Sequence, residues 1–238
     1  VKLAGQAALV SGASRGIGRA VAQAFAREGA GVGLLARGRA DLDRVAGEIE
    51  AVGGSALVVP GDAATEAGAA GAVETVLARF GRLDCVVTAQ GTGTFGPLET
   101  SRVTDWNDML RANLTATYLL CRAALPPMLA AGRGTIVAVV SLAAVRAIPG
   151  CAAYTASKAG VLGLVRALAA DVRGRGVRVA ALCPGAVDTP FWDGIPSPPD
   201  RGRMLRPEAV AEAALLVATQ PPEVFVEEVV LAPTPGVL

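Results

Sequence analysis

The chain has 238 residues, enough for one large α/β domain with a real core, and its 22 basic and 21 acidic side chains nearly cancel. A net charge of +1 offers no electrostatic footprint for nucleic acid or an anionic membrane, and a 52% hydrophobic content argues against disorder. The absence of histidine excludes a Ser-His-Asp hydrolase, a histidine general base and a histidine-ligated metal centre, so acid–base chemistry falls to Tyr, Lys, Asp, Glu or Cys.

In chain order, short apolar runs predict strands at 7–10, 32–36, 56–59, 85–87, 135–140, 177–182 and 226–231, several too continuously apolar to have a wet face. Helical periodicity lies between them. Ile17, Val21 and Phe25 recur every four residues as one buried stripe, and Leu164 and Leu168 share a face of a later helix. The alternation implies one domain over 1–238, a parallel sheet covered by helices on both sides, with ligands bound beyond the carboxyl ends of the strands. The segment 186–206, with Pro190, Pro196, Pro198 and Pro199 beside Phe191 and Trp192, reads as a substrate lid or as a disordered surface insertion. The start VKLAGQAALV has no secretory pattern and the longest apolar run, Ile136 to Val145, is about half a membrane span, so a cytoplasmic location is expected. Cys85, Cys121, Cys151 and Cys183 form no CxxC pair and read as reduced core residues, with Cys151 close enough to Tyr154 to line a site.

After the first strand, Ser11-Gly12-Ala13-Ser14-Arg15-Gly16-Ile17-Gly18 leads directly into a helix. Glycines allow a tight turn and close backbone approach, while unpaired N–H groups at the helix start attract negative charge, the requirements of a dinucleotide pyrophosphate. At the end of the second strand, where an acid would take the ribose 2′-hydroxyl of NAD, the chain reads Leu35-Ala36-Arg37-Gly38-Arg39. Arg37, with Arg15 from the glycine loop, therefore points to the 2′-phosphate of NADP(H), favoured over NAD(H), unless both are simply solvated surface charge. Asp62, after the third strand, is placed either to accept a hydrogen bond from adenine or to act as a plain turn acid.

Tyr154 and Lys158 are four apart, on one helix face. Such a pair is often an exposed surface, but a lysine ammonium beside a phenol lowers the tyrosine pKa toward working pH and makes it a usable acid or base. Ser141, at the end of the fifth strand, could donate a hydrogen bond to a carbonyl oxygen that gains charge as hydride arrives.

Together the glycine loop, Ser141 and Tyr154-x-x-x-Lys158 resemble the short-chain dehydrogenase/reductase family over almost the whole chain. The resemblance implies a Rossmann-type, doubly wound, seven-stranded parallel sheet. It implies Tyr154 as general acid, Lys158 on the nicotinamide ribose and Ser141 orienting the carbonyl, with Asn113 holding a water of the proton relay. The cofactor contacts expected are Gly12, Ser14, Arg15, Gly16, Ile17, Gly18, Arg37, Asp62, Ala63, Ala89, Gly91, Tyr154, Lys158, Pro184, Gly185, Val187 and Thr189, with no metal. A homotetramer or dimer is implied, paired through helix faces such as 156–170.

The sequence departs from the family where Asn-Asn-Ala-Gly is usual and Thr88-Ala89-Gln90-Gly91 stands, and at a C-terminus lacking Asp-Gly-Gly. Thr88 is the residue expected to replace one lost asparagine. The leading expectation is a carbonyl reductase or alcohol dehydrogenase acting on a small-molecule carbonyl or secondary alcohol with NADP(H), with no nucleic-acid or membrane partner. Alternatives are a reductase of carrier-protein-bound acyl chains, docked through Arg201, Arg203 and Arg206, or a cofactor-binding regulator with little catalytic activity.

Overall fold

The computed structural model describes residues 1–234 and 236. Its strands are β1 (Ala7–Ser11), β2 (Gly31–Ala36), β3 (Ser55–Pro60), β4 (Cys85–Thr88), β5 (Gly134–Val139), β6 (Val177–Pro184) and β7 (Glu228–Leu231). The helices are α1 (Gly16–Arg27), α2 (Arg39–Glu50), α3 (Glu66–Phe80), α4 (Val103–Met109), α5 (Ala116–Ala130), α6 (Ala152–Val172) and α7 (Pro207–Ala218). The strands form one parallel seven-stranded sheet in the order β3-β2-β1-β4-β5-β6-β7. Chain order reverses between β1 and β4, so the loops leaving those strands diverge and open a crevice at their carboxyl ends.

Successive strand residues feed opposite faces, as the pleat requires. Ala8 and Val10 of β1 join Val21 and Phe25 of α1, Leu42 of α2 and Val210 of α7 in one apolar layer. Ala7 and Leu9 join Val76 of α3, Leu120 of α5 and Val165 of α6 in the other. Both faces of the sheet are therefore dry, which is why β1 and β4 are buried at every position and read as unbroken apolar runs. In α6 the deeply buried stripe is Val161, Val165, Ala169 and Val172, and Leu164 and Leu168 lie half-buried at its edge. Among the described residues no helix is long and apolar enough to cross a membrane.

The amino ends of the central strands are tied together by Asp84. Its carboxylate accepts from the Ala7 N–H at 2.8 Å, from Arg82 Nε at 2.6 Å and from Arg133 Nε at 3.3 Å. Its own backbone donates to Ala7 O and accepts from Thr135 N–H, so one residue links β1, β4 and β5. Burial pushes this carboxyl up, but the Arg82 guanidinium, the Ala7 N–H and Arg133 outweigh it, and the net shift is below the ordinary carboxylate value.

Two boundaries differ from expectation by more than one residue. β6 runs on to Pro184, whose missing N–H is tolerated at a strand end, and β7 begins at Glu228, where pairing to Ala181 starts. The stretch 186–206 is a folded loop rather than a disordered insertion. Short 3₁₀ turns stand at Pro190–Trp192 and Arg201–Arg203, and its base closes through a bridge between Val187 and Leu205. All four cysteines are free and buried.

Candidate active site

The crevice at the switch point opens into a cavity of about 950 Å³ lined by the loops that leave β1 through β6. Its floor is set by the glycine loop. Gly12 adopts φ +67°, and a Cβ there would stand 2.8 Å from the Ala89 carbonyl and the Gln90 nitrogen. A Cβ on Gly18 would come within 2.3 Å of the Gly12 oxygen, so Gly18 closes the turn from behind and does not line the cavity. The amino end of α1 has neither a side-chain cap nor an acid in its first turn, leaving its N–H groups to an anion. This cradle fits a dinucleotide pyrophosphate.

Beyond the cradle, Arg15 and Arg37 are exposed, line the cavity and have no ion-pair partner among the described residues. Asp62 is engaged: one carboxylate oxygen accepts from Ala64 N–H at 2.9 Å and the other from Arg111 at 2.6 Å. The Ala64 N–H, with Arg111 and Arg37, holds this carboxyl below its ordinary value. The pairing with Arg111, 49 residues away, was not read from the sequence. Ser14, Gly16, Ile17, Ala63, Ala89, Gly91, Pro184, Gly185, Val187 and Thr189 all line the cavity where expected.

At the other end, Ser141, Tyr154 and Lys158 converge. Ser141 leaves β5 and its Oγ accepts from Ala143 N–H at 3.1 Å. Tyr154 and Lys158 stand one turn apart on α6, and the Lys158 ammonium donates to Val139 O at 3.0 Å. Burial lowers Lys158 to about 8. Burial also raises Tyr154 to about 12, opposed by the neighbouring Ser141 hydroxyl. The expected lowering of the phenol pKa by Lys158 is therefore not found here: the ammonium is committed to a backbone carbonyl, and desolvation of the phenol dominates.

Asn113 lies just beneath the cavity wall, in a turn wider than an α-helix at Leu110–Thr115. Its Oδ1 accepts from Thr92 N–H at 2.8 Å, and its Nδ2 donates to Thr92 O at 3.0 Å and to Ser157 Oγ at 2.9 Å. Ser157 in turn donates to Tyr154 O at 2.7 Å, joining Asn113 to the tyrosine helix. A Cβ on Gly91 would meet Asn113 Oδ1 at 2.9 Å and Lys158 Nζ at 3.5 Å, so the bare glycine lets these two groups approach the cavity together.

The altered turn after β4 is braced by a residue that sequence reasoning passed over. Gln90 bonds through Oε1 to the Ser11 hydroxyl and donates from Nε2 to Thr117 Oγ1 at 3.1 Å. Thr117 then donates to Asn113 O at 2.8 Å. Thr88, expected to substitute for an asparagine, does not: its hydroxyl is buried without a hydrogen-bond partner among the described residues. Sequence reasoning also missed Phe95, whose ring meets Tyr154 edge-on at 5.3 Å.

Comparison with known proteins agrees with this geometry. The family model for short chain dehydrogenases matches residues 6–199. D-threitol dehydrogenase of Mycolicibacterium smegmatis is 36% identical over 231 residues, covering 92% of this chain and 87% of that protein. A metagenomic short-chain oxidoreductase solved in complex with NADP superposes with a TM-score of 0.86 at 39% identity, covering 98% of this chain and 99% of that one. The 3-ketoacyl-(acyl-carrier-protein) reductase of Brucella melitensis, complexed with NADH, gives 0.87 at 32% identity, covering 98% of each chain. Similarity of this extent, running from the first strand through the sheet, establishes that the chain belongs to the short-chain dehydrogenase/reductase family of oxidoreductases.

Proposed function

We propose that the protein is an NADP(H)-dependent carbonyl reductase that interconverts a small carbonyl compound and its secondary alcohol, with Tyr154 as the general acid. The observation that carries this reading is the convergence of the Ser141 and Tyr154 hydroxyls and Lys158 at one end of a cavity whose other end presents the unpaired Arg15 and Arg37. When bound, the nicotinamide cofactor supplies the hydride.

The chain's own residues do the rest. The amino end of α1 and the glycine loop hold the pyrophosphate, and Arg15 and Arg37 hold a 2′-phosphate by charge-assisted hydrogen bonds. Ser141 orients the carbonyl oxygen, and Tyr154 gives its phenolic proton to that oxygen as negative charge develops. A phenol raised to about 12 is protonated at neutral pH, the state in which Tyr154 can act as the acid. Lys158, anchored on Val139 O, presents its ammonium beside the ribose position. Asn113 holds the Thr92 backbone and Ser157, keeping the wall of the cavity against the tyrosine helix.

The whole chain acts as one domain with 186–206 as its substrate loop, and we expect a homotetramer or dimer in the cytoplasm. The acyl-carrier reading is weakened because Arg201 is already paired with Asp188 and Asp193 within that loop. The regulator reading is weakened by the Gln90 brace, which restores support to the altered turn. Calorimetric titration of the protein with NADPH and, separately, NADH tests the assignment. Preference for NADPH is expected, preference for NADH would overturn the arginine argument alone, and binding of neither would overturn the enzyme reading.

A further inference from the structure

Phe95 and Phe191 pack against Tyr154, and Trp192 packs against both of them. Phe95 meets Tyr154 at 5.3 Å between ring centroids and stacks on Trp192 at 5.7 Å, and Phe191 lies 6.1 Å from both Phe95 and Tyr154. They converge on a bare position: a Cβ on Gly93 would stand 2.6 Å from Phe191, 3.0 Å from Phe95 and 3.2 Å from Tyr154. The loop that carries Phe191 and Trp192 is stitched in place. Trp192 Nε1 donates to Val187 O at 3.0 Å, and Arg201 pairs with Asp188 and Asp193 on either side of the two rings.

Arg201, Asp188 and Asp193 do not line the cavity, and the charged groups that do lie mostly at its other end. The charged lining groups Arg15, Arg37, Asp41, Asp62 and Arg111 belong to the glycine-loop end; the remaining two are Asp108, exposed on α4, and the buried Lys158, bonded to Val139 O. A carboxylate substrate would meet no free cation beside the rings. Hydroxyls of a polyhydroxylated one that faced the rings would lose water without gaining a partner, which costs binding.

From this ring cluster we infer that the substrate is an uncharged ketone carrying an aromatic ring on its reacting carbon, the ring packing against the cavity face formed by Phe95, Phe191 and Trp192 while its oxygen reaches Ser141 and Tyr154. The inference rests on the carbonyl-reductase reading and narrows it. In the step it serves, hydride from NADPH forms the new C–H bond, the carbonyl π pair passes to oxygen, and the Tyr154 proton forms the O–H bond. The ketone is reduced and NADPH oxidised. Flat rings gain edge-on and offset contacts that a saturated ring of similar size lacks.

The test compares kcat/KM for four ketones with NADPH: methyl phenyl ketone, methyl cyclohexyl ketone, a ketone bearing a carboxylate, and a tetrulose. We expect the phenyl compound to exceed the cyclohexyl one by about tenfold, the size of a few aromatic contacts, and Phe95→Leu to bring that ratio toward one. A tetrulose or carboxylate substrate processed as well as the phenyl ketone would overturn the substrate class while leaving the carbonyl-reductase reading intact. Should no ketone turn over, quenching of Trp192 fluorescence in a Trp106→Phe protein separates the two ideas. Tighter binding of the phenyl than the cyclohexyl ketone would then uphold the ring cluster and defeat the reaction, and equal binding would defeat the ring cluster.

Discussion

Replacing Gln90 with alanine removes two side-chain hydrogen bonds at the switch point, one to Ser11 on β1 and one to Thr117 on α5. Each partner keeps another contact: Ser11 still donates to Val87 O at 3.3 Å and Thr117 to Asn113 O at 2.8 Å. The loss therefore stays near the net value of the bonds themselves, about 1–2 kcal/mol in all, rather than the larger penalty of stranded buried groups. For a domain of this size that lowers the midpoint of thermal unfolding by about 2–8 °C. Thr88→Val is the matched control two residues from Gln90. Its hydroxyl is buried without a partner among the described residues, so valine removes a desolvated polar group at nearly constant shape. It should leave stability unchanged or raise it by up to about 1 kcal/mol. Urea and thermal unfolding of both variants, followed by circular dichroism, give the comparison. A Thr88→Val loss equal to that of Gln90→Ala would refute the assignment of the brace to Gln90.

Tyr154→Phe should cut turnover by about 10²–10⁴-fold, the usual contribution of a positioned acid, with nucleotide affinity retained by calorimetry. Paired Arg15→Ala and Arg37→Ala substitutions should reduce the NADPH-to-NADH ratio of kcat/KM by about tenfold each, since exposed guanidinium bonds are worth about a kcal/mol or somewhat more. Lys158 gives a stability signature in the nucleotide-free protein. Its folded pKa of about 8 lies below the unfolded value near 10.4, so the unfolded chain binds more protons at this site between those pH values and the Lys158 contribution to stability rises with pH across that window. Lys158→Met should remove this contribution, worth about 3 kcal/mol at full desolvation. Denaturant titrations at pH 7 and pH 10 check it as the difference between the two proteins, because the four buried cysteines and Tyr154, all raised by burial, act in the opposite direction in both.

How far the sequence could be read follows from what each feature depends on. The dry sheet was legible because residues buried on both faces leave unbroken apolar runs, as in Ala7 to Val10 and Cys85 to Val87. The glycine loop and the Tyr154/Lys158 pair were legible because close approach and helical spacing are local. The rest depends on neighbours distant in the chain. Gln90 braces residues 79 positions before it and 27 after it, so in sequence its turn showed only the loss of two asparagines. Phe95 reaches the tyrosine across 59 residues of chain, and no periodicity announces a ring in a loop. The wide turn holding Asn113 left only a mid-helix asparagine as its trace. The Tyr154 pKa was misjudged because spacing puts a lysine nearby but does not say which acceptor its ammonium takes.

The Asp84 knot gives the molecule a polarity that bears on how it can diversify. One carboxylate and two guanidinium groups pin β1, β4 and β5 at the end of the sheet remote from the cavity. The loop over 186–206 closes on itself through Val187 and Leu205 and lends the opposite end its aromatic pair together with Val187 and Thr189. The tip of that loop beyond Thr189 can thus change without disturbing strand register, which is held at the anchored end. Changes at Asp84 have no such latitude, because every strand pairing outward from the centre inherits its alignment from that knot.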